Sequence, residues 1–517
     1  MNTNNPLVLT FDCGTQSMRA VLVDKQGNVI DKAQVKYNKP YISPQPGWAE
    51  QPASTYWDSL CTVSKQILSA HADLITDIIC VTVTTIRDTF LCLDKDGKPL
   101  NNFIVWLDQR RAECKQPLST LSNIVFSAIG MREALNVQRK ITKSNWIKEY
   151  LPDVWDKTYK YVGVSGWLIY NLVGDFVDCS ASQVGHIPFD YKPKKWKSEK
   201  DIQFALFGVE SEKLIRLVDP TQILGTIDHK ASQLTGIPEG LPVIASGSDK
   251  ECETLGSGVL DESGAALSFG TAASVQISTK KYVGPTSLLP AYPAICPDLY
   301  NPEVQIYRGY WMVSWFLKEF AEKEVLNAKE LGISPEELLN RELDKIKPGC
   351  DGLMLQPYWS PLLKQPEGRG SMIGFNSEHT RIHIYRAIIE GIGFALYDGL
   401  LALEKRSGNN TTWLAVAGGG SQSDTICQIT ADMFNLPVRR VQTYESTGLG
   451  SSIAGFVGMG CYDSFQHAVD NMVHFVDEFR PNPETHAIYQ ELYQEIYRKT
   501  YARLQPLYRK LYSIIKY

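Results

Sequence analysis

The sequence predicts an α/β protein of two related lobes, each a mixed sheet flanked by helices, and three observations carry that expectation. A strand, glycine turn and strand occurs twice, as LVLTFDCGTQSMRAVLVD near the N-terminus and as ALSFGTAASVQIST from Ala266 onward. An apolar strand running into three glycines, LAVAGGG at residues 414–420, leads into a stretch with apolar residues at helical spacing. Strand-like and helix-like segments alternate between these units, as they do in layered α/β domains. Two such hairpins suggest two lobes around one nucleotide.

In the first hairpin Leu7, Leu9 and Phe11 share one side of an alternating strand, and Ala20 and Leu22 resume the pattern after the turn. The turn itself is polar. Gly14 lets the backbone approach a ligand, Thr15, Gln16 and Ser17 offer donors, and Arg19 is a planar cationic fork that matches phosphate oxygens. Asp12 suits a metal-bound water beside those phosphates. The plainer alternative is a glycine turn whose hydroxyls satisfy only the turn.

The second hairpin repeats the plan with Leu267 and Phe269 before Gly270, Thr271, Ala272 and Ala273, and Val275 and Ile277 after them. Just upstream, LPVIASGSDKECETLGSG reads as a buried strand ending in glycine, then Asp249, then a helix. A carboxylate at the C-terminal end of a buried strand is where α/β enzymes place chemistry, and the same position suits a helix N-cap. The bare backbone of the third glycine cluster admits a flat base or ribose. Neither the dinucleotide-binding fingerprint nor the P-loop spacing is present.

At 517 residues the chain holds two large lobes, expected at residues 1–258 and 259–517. Residues 232–243, rich in glycine and proline, form a connector into the strand before Asp249. Helices are expected at residues 53–70, 311–322 and 381–403. Tyr489, Tyr493, Tyr497 and Tyr501 recur every fourth residue, which places them on one helix face as a packing seam, or alternatively as a homodimer interface. A net charge of −5 with mixed signs gives no basic stripe for nucleic acid. No apolar run approaches the roughly 18 to 20 residues that cross a membrane, and the start MNTNNP lacks a charged and apolar leader, so a cytoplasmic protein is expected. The 11 cysteines are scattered without CxxC spacing, which indicates neither disulfides nor zinc, and Cys13 reads as a small buried residue. The eight histidines form no ligand cluster, so any magnesium is expected to arrive with the nucleotide.

The segments DCGTQSMRA, PGWAEQ, TTIRDT, IVWLDQRRAE, SGWLIYNLVGDF, SGSDKE, SFGTA, MIGFNSEHTRIHIYRAIIE, AGGGSQSD and ESTGLGSS follow one another along nearly the whole length. In this order they resemble the FGGY family of carbohydrate kinases, which have the actin-like ATPase (ribonuclease H-like) fold. Residues 370–390 resemble that family's C-terminal signature, with Phe375 at a position usually aliphatic, and Ser144 departs from the N-terminal one. The resemblance implies a two-lobed enzyme closing over ATP-magnesium and a sugar in the cleft between its lobes. It implies that Asp249 is the catalytic base. Asp12, Gly14, Thr15, Gln16, Ser17 and Arg19, with Gly270 and Thr271, become the phosphate and magnesium loops, and Gly419, Gly420 and Ser421 the nucleotide loop. Phosphoryl transfer needs mainly positioning, charge neutralisation and one base for the nucleophile, which this set supplies.

On the substrate side, Arg87 and Asp88 match an Arg–Glu pair of glycerol kinases and resemble a pair in autoinducer-2 kinases, where xylulose kinases usually carry Met–His. Trp106 matches a Trp that packs on the carbon face of the substrate, with Asp108 close behind. An Arg and a carboxylate beside an aromatic wall suit vicinal hydroxyls. Gln138 and Ser274 stand where glycerol kinases have aromatics, and Lys250 follows the base where they have Gln. A wider, more polar pocket is therefore expected, with a ketopentose such as xylulose or ribulose as the substrate and glycerol, another polyol or an autoinducer-2-like compound as alternatives. An actin-like nucleotide switch or sugar sensor without catalysis is the alternative of another class, and a base beside a polyol pocket argues against it.

Overall fold

Alternating apolar residues draw Leu7–Cys13 and Ser17–Asp24 into an antiparallel pair in which Asp12 lies opposite Arg19. The wholly buried Ile78–Thr85, rich in β-branched residues, is the parallel neighbour of the first strand. The full sheet runs Ile223–Thr226, Pro242–Ile244, Ile78–Thr85, Leu7–Cys13, Ser17–Asp24, Val29–Lys36. The structure is a computed structural model that describes residues 5–114, 132–201, 204–286, 289–360 and 367–515. It divides into two compact units, Met1–Gly256 with Tyr292–Leu299 and Thr447–Met472, and Ser257–Ala291 with Tyr300–Ser446 and Val473–Tyr517.

In the first unit, Leu7, Leu9 and Phe11 pack with Tyr56, Leu60, Val63 and Ile67 of the helix Ala53–Ala70, which spans the residues its periodicity predicts. On the opposite side of the same strand, the Thr10 hydroxyl bonds to Thr82 at 2.7 Å and to Ser452 at 2.8 Å, and Ser451 bonds to Thr82 at 2.9 Å. These hydroxyls are all buried. Leaving one unpaired would cost about 1–3 kcal/mol, so the chain ties the returning segment Thr447–Met472 to the sheet. A four-stranded sheet of Glu50–Gln51, Phe103–Ile104, Phe90–Leu93 and Lys160–Gly163 borders the segments that carry Arg87 and Trp106. The expected connector is partly helical. His229–Thr235 is capped by Asp228, whose carboxylate accepts the Ala231 N–H at 2.7 Å, and ends at the left-handed Gly236.

The second unit repeats the sheet plan strand for strand. Its order is Glu303–Ile306, Ala273–Ile277, Gly264–Phe269, Trp413–Ala417, Val438–Val441, Phe475–Phe479. As in the first sheet, the leading strand begins a three-stranded antiparallel meander on its hairpin side and has two parallel strands on the other, with an antiparallel edge beyond them. The 27-residue helix Arg381–Ser407 packs against this sheet. Tyr489, Tyr493 and Tyr497 lie against its Phe394, with ring centroids 6.0, 6.4 and 5.0 Å away, and Tyr493–Tyr497 widens into a π turn. The tyrosine face is thus a packing seam within this unit. The helix expected over residues 311–322 stops at Phe320, because Ala321 leaves helical geometry and a new helix, Glu322–Leu331, turns Glu324 toward the Arg381 guanidinium at 2.7 Å. Among the described residues no helix is long and apolar enough to cross a membrane.

Candidate active site

The first hairpin turn is tied down on several sides. Gly14 N–H donates to the Ser17 carbonyl at 2.9 Å, and the Gln16 carbonyl holds the Tyr37 N–H at 2.9 Å. The Trp106 indole N–H donates to the Thr15 hydroxyl at 3.0 Å, and Gln34 donates to the buried Ser17 hydroxyl at 2.9 Å. Arg19 Nη1 lies 3.0 Å from Asp12 Oδ2, a pair in which the carboxylate is buried and the guanidinium partly exposed. The turn thus presents an exposed Gln16 and a half-exposed cation over a fixed backbone. Cys13 is fully buried, and burial pushes its thiol up despite a hydrogen bond with Tyr37, so it behaves as a small core residue.

Asp249 opens the helix Asp249–Gly256, with four residues between it and the sheet strand Pro242–Ile244. The residue before it, Ser248, bonds through its hydroxyl to Glu251, and the Asp249 carboxylate accepts the Lys250 N–H at 2.9 Å. The approach to Asp249 is pinned by Ser246 Oγ on the Val83 carbonyl at 2.9 Å, Cys179 Sγ on the Ser246 carbonyl at 3.2 Å and the Ser248 N–H on the Ala181 carbonyl at 3.3 Å. Beneath that segment lies Asp178, fully buried, which accepts from Ser165 at 2.6 Å, the Cys179 N–H at 2.7 Å and Gln183 at 2.8 Å. Burial outweighs these bonds and pushes its carboxyl up to about 6.

Arg87 joins Asp249 to its surroundings. Its Nε lies 3.7 Å from Asp249 Oδ1 and its Nη1 3.5 Å from Glu251 Oε1, and its guanidinium sits 5.2 Å from the Tyr292 ring centre. Asp249 keeps 27% of its side-chain surface, whereas Glu251 keeps none. The neighbouring Asp88 accepts Lys143 Nζ at 2.8 Å and lies 3.0 Å from His186 Nδ1. Burial would raise its carboxyl, but the charge and hydrogen bond of Lys143, the hydrogen bond of His186 and, once that ring is protonated, its charge overcome it and hold Asp88 well below the usual carboxylate range.

The remaining candidates divide by geometry. Trp106 is half-buried and reaches the first hairpin through its bond to Thr15. Lys250 pairs with Glu253 one helical turn away. Gln138 is half-buried in the helix Arg132–Ile141. Asp108 is 2% exposed, accepting the Ala49 N–H at 2.6 Å and Arg110 Nε at 2.8 Å, while Arg110 lies between Trp48 and Trp146 at 3.9 and 4.6 Å. Its geometry is that of a loop anchor. Glu251, Lys143, His186 and Tyr292 were not legible as site residues. Only Glu251 carried a local signal, as an acid two residues after Asp249.

In the second unit the carbonyls of Gly270 and Thr271 accept the N–H groups of Tyr310 and Trp311, both at 3.1 Å, which fastens the second hairpin turn to the start of the helix Trp311–Phe320. Gly418 takes φ +85° against the Phe269 carbonyl, and a Cβ at Gly420 would lie 2.5 Å from the Tyr310 ring, so only glycine fits this loop. Gly419 is exposed with open space beside it. Ser421 is buried, and its hydroxyl locks the loop by donating to the Gly418 carbonyl at 2.7 Å.

Two glycine hairpins on matching sheets, with a carboxylate at a strand end, define a phosphotransferase of the actin-like ATPase fold. The profile of the FGGY family of carbohydrate kinases matches over its N-terminal domain at residues 7–256 and its C-terminal domain at residues 265–459, and the chain belongs to that family. An uncharacterized sugar kinase of Escherichia coli (strain K12) is 32% identical over 92% of this chain and 89% of its own. A gluconokinase of Bacillus licheniformis and a xylulose kinase of Lactococcus lactis are each 27% identical over 94% of both chains. The fold matches the crystal structure of a ligand-bound xylulose kinase from Lactobacillus acidophilus with a TM-score of 0.81 at 22% identity, covering 98% of this chain and all of that one. The protein is accordingly an ATP-dependent carbohydrate kinase, with a sugar hydroxyl as phosphoryl acceptor.

Proposed function

We propose that the protein phosphorylates a neutral sugar, a ketopentose such as xylulose or ribulose, with Asp249 as the base that takes the proton of the attacking hydroxyl. The observation that carries this reading is the setting of Asp249: a partly exposed carboxylate at the first position of the helix that follows a sheet strand, 3.7 Å from Arg87. Arg87 would hold the sugar oxygen while Asp249 receives the proton, and Trp106 would wall the carbon face. Relatives include both gluconate and xylulose kinases. The charge pattern favours a neutral substrate, because Arg87 faces Asp249 and Glu251, Lys143 faces Asp88 and Lys250 faces Glu253. A substrate carboxylate would meet cations already matched by acids.

Asp12, Gly14, Thr15, Gln16, Ser17 and Arg19 would hold the reactive phosphates, Gly270 and Thr271 would offer backbone and hydroxyl donors to phosphate, and Gly419, Gly420 and Ser421 would receive the nucleoside. Bound magnesium, carried by ATP and held through water by Asp12, would supply charge neutralisation at the phosphates. The residues present fit that role through water: Asp12 is one buried carboxylate beside the turn, and among the described residues no cluster of three acids, histidines or cysteines exists to hold a cation alone. Steady-state turnover, with ATP consumption coupled to product detection, tests the reading across xylulose, ribulose, other ketoses, polyols, glycerol, gluconate and the autoinducer-2 precursor. Selective turnover of a ketopentose is expected. Selective turnover of gluconate would overturn the neutral-substrate reading.

A further inference from the structure

Asp88 was expected to read sugar hydroxyls, but its surroundings give it a different task. It sits in the left-handed region at φ +48°, its N–H bonded to the Val184 carbonyl at 3.0 Å. Gly185 backs directly onto it: a Cβ there would lie 2.6 Å from Asp88 Oδ1 and 3.0 Å from its Cα, and Gly185 itself has φ +149°. Both carboxylate oxygens are engaged. Oδ1 accepts the His186 N–H at 3.1 Å, and Oδ2 accepts Lys143 Nζ at 2.8 Å and lies 3.0 Å from His186 Nδ1. A strained backbone with both oxygens occupied describes a holder of other groups, and the group it holds at two points is His186.

The ring orientation follows from this. An ionised carboxylate only accepts, so the Nδ1 that faces Asp88 carries a proton, and in the neutral ring the lone pair is left on Nε2. His186 keeps 27% of its side-chain surface, as Asp249 does, and among the described residues Nε2 has no hydrogen-bond partner. A short chain of contacts connects Gly185, the residue before this histidine, to Arg87. The Tyr191 hydroxyl bonds both the N–H and the carbonyl of Gly185 at 3.1 Å, the Tyr191 ring meets Tyr292 edge-on at 5.7 Å, and the Tyr292 ring carries the Arg87 guanidinium.

We propose that His186 is a substrate-binding residue whose Nε2, oriented by the bonds of Asp88 to its ring and backbone, accepts a hydrogen bond from a hydroxyl of the sugar held at Arg87 and Asp249. The proposal rests on the site reading above. It assigns hydroxyl recognition to an imidazole from a distant part of the chain and makes Asp88 a positioning residue.

The test compares His186→Asn, which keeps a polar group near Nδ1 only, with His186→Gln, whose amide reaches the Nε2 position. D-xylulose, D-ribulose and D-gluconate serve as probes, with single-deoxy analogues of whichever is turned over. His186→Asn is expected to raise the sugar KM about tenfold, the loss of one hydrogen bond, with kcat and the ATP KM within about twofold. His186→Gln should recover most of that loss. One deoxy analogue should bind the wild type about tenfold more weakly yet bind His186→Asn no worse than the parent sugar does. A merely structural role would lower kcat and melting temperature together and would not be rescued by Gln. An unchanged sugar KM in His186→Asn, or equal further losses with every analogue, overturns the proposal while leaving the site reading intact. Normal turnover in Asp249→Asn, or no turnover of any probe by the wild type, overturns both.

Discussion

The two sheets share one plan and differ in the chemistry of their hairpin turns. In the first, Asp12 and Arg19 face each other across the register and pair at 3.0 Å; in the second, Ser268 stands opposite Ser274 at the equivalent place, with only Gly270, Thr271 and Ala272 in the turn. Strand order is therefore not what separates the units. The first turn carries charge on side chains and is braced by side-chain bonds from Trp106 and Gln34, whereas the second is braced by its own carbonyls on the start of a helix. Charged side chains give strong, directional bonds to phosphate, and a bare backbone gives close approach. Duplicating a fold thus leaves each copy free to specialise at its turn.

The comparison breaks most sharply at Asp249, which opens the helix after Pro242–Ile244, where Ser446 opens the helix after the matching strand Val438–Val441. Asp249→Asn is expected to lower kcat by about 10²-fold or more with little change in either KM, and near-normal turnover would remove Asp249 from the role of base. The turns themselves should differ next. Arg19→Ala is expected to lower kcat/KM for ATP by about 10- to 100-fold, the value of a charge-assisted bond, and Thr271→Ala by less than about tenfold. Equal losses at the two turns would show that charge is not what distinguishes them. In the second unit the sensitive element is backbone: Gly420→Ala drives a methyl to 2.5 Å from the Tyr310 ring and 2.9 Å from Phe269 Cβ. Overpacking of this kind costs about 1–3 kcal/mol, so thermal melting should show a drop that Tyr310→Ala partly restores. No restoration would mean that the loop is held by something other than that ring.

The matching sheets were legible because each hairpin keeps its period-two pattern on both sides of a glycine turn, and the loop at Gly418 because an apolar strand runs straight into it. The helix start at Asp249 was legible for a similar reason, as an acid following an apolar strand and a glycine. What sequence could not reveal was assembly over long separations. His186 reaches Asp88 from 98 residues away, and Tyr292 returns to the first unit from beyond the second hairpin. Asp108, beside a recognisable Trp, looked like a ligand but is consumed by Ala49 and Arg110, because local spacing says nothing about which polar group a distant backbone will claim. The break at Ala321 was hidden likewise, since nothing in its neighbours interrupts the helical pattern, and it shows only in the fold, where Ala321 is buried in the core and Glu324 of the next helix meets Arg381.

Two aspartates of the first unit, Asp88 half-buried and Asp178 buried, sharpen the comparison within that unit. Asp88 faces a lysine and a histidine and is held low, whereas Asp178 receives only neutral donors and is pushed up to about 6. Their contributions to stability therefore run in opposite directions with pH. Asp88 adds stability above the usual carboxylate value, and this is lost as pH falls through its lowered one. Asp178 binds its proton more tightly in the folded than in the unfolded state, so its contribution is present below about pH 4 and is lost as pH rises toward about 6. Urea unfolding of the wild type and Asp178→Asn across that window isolates the second effect. The stability of the wild type relative to the variant should decline from about pH 4 to about pH 6 by no more than about 3 kcal/mol and stay level above it. A relative stability that instead rises with pH would mean that the bonds from Ser165, Cys179 and Gln183 outweigh burial and that Asp178, like Asp88, is held as an ion.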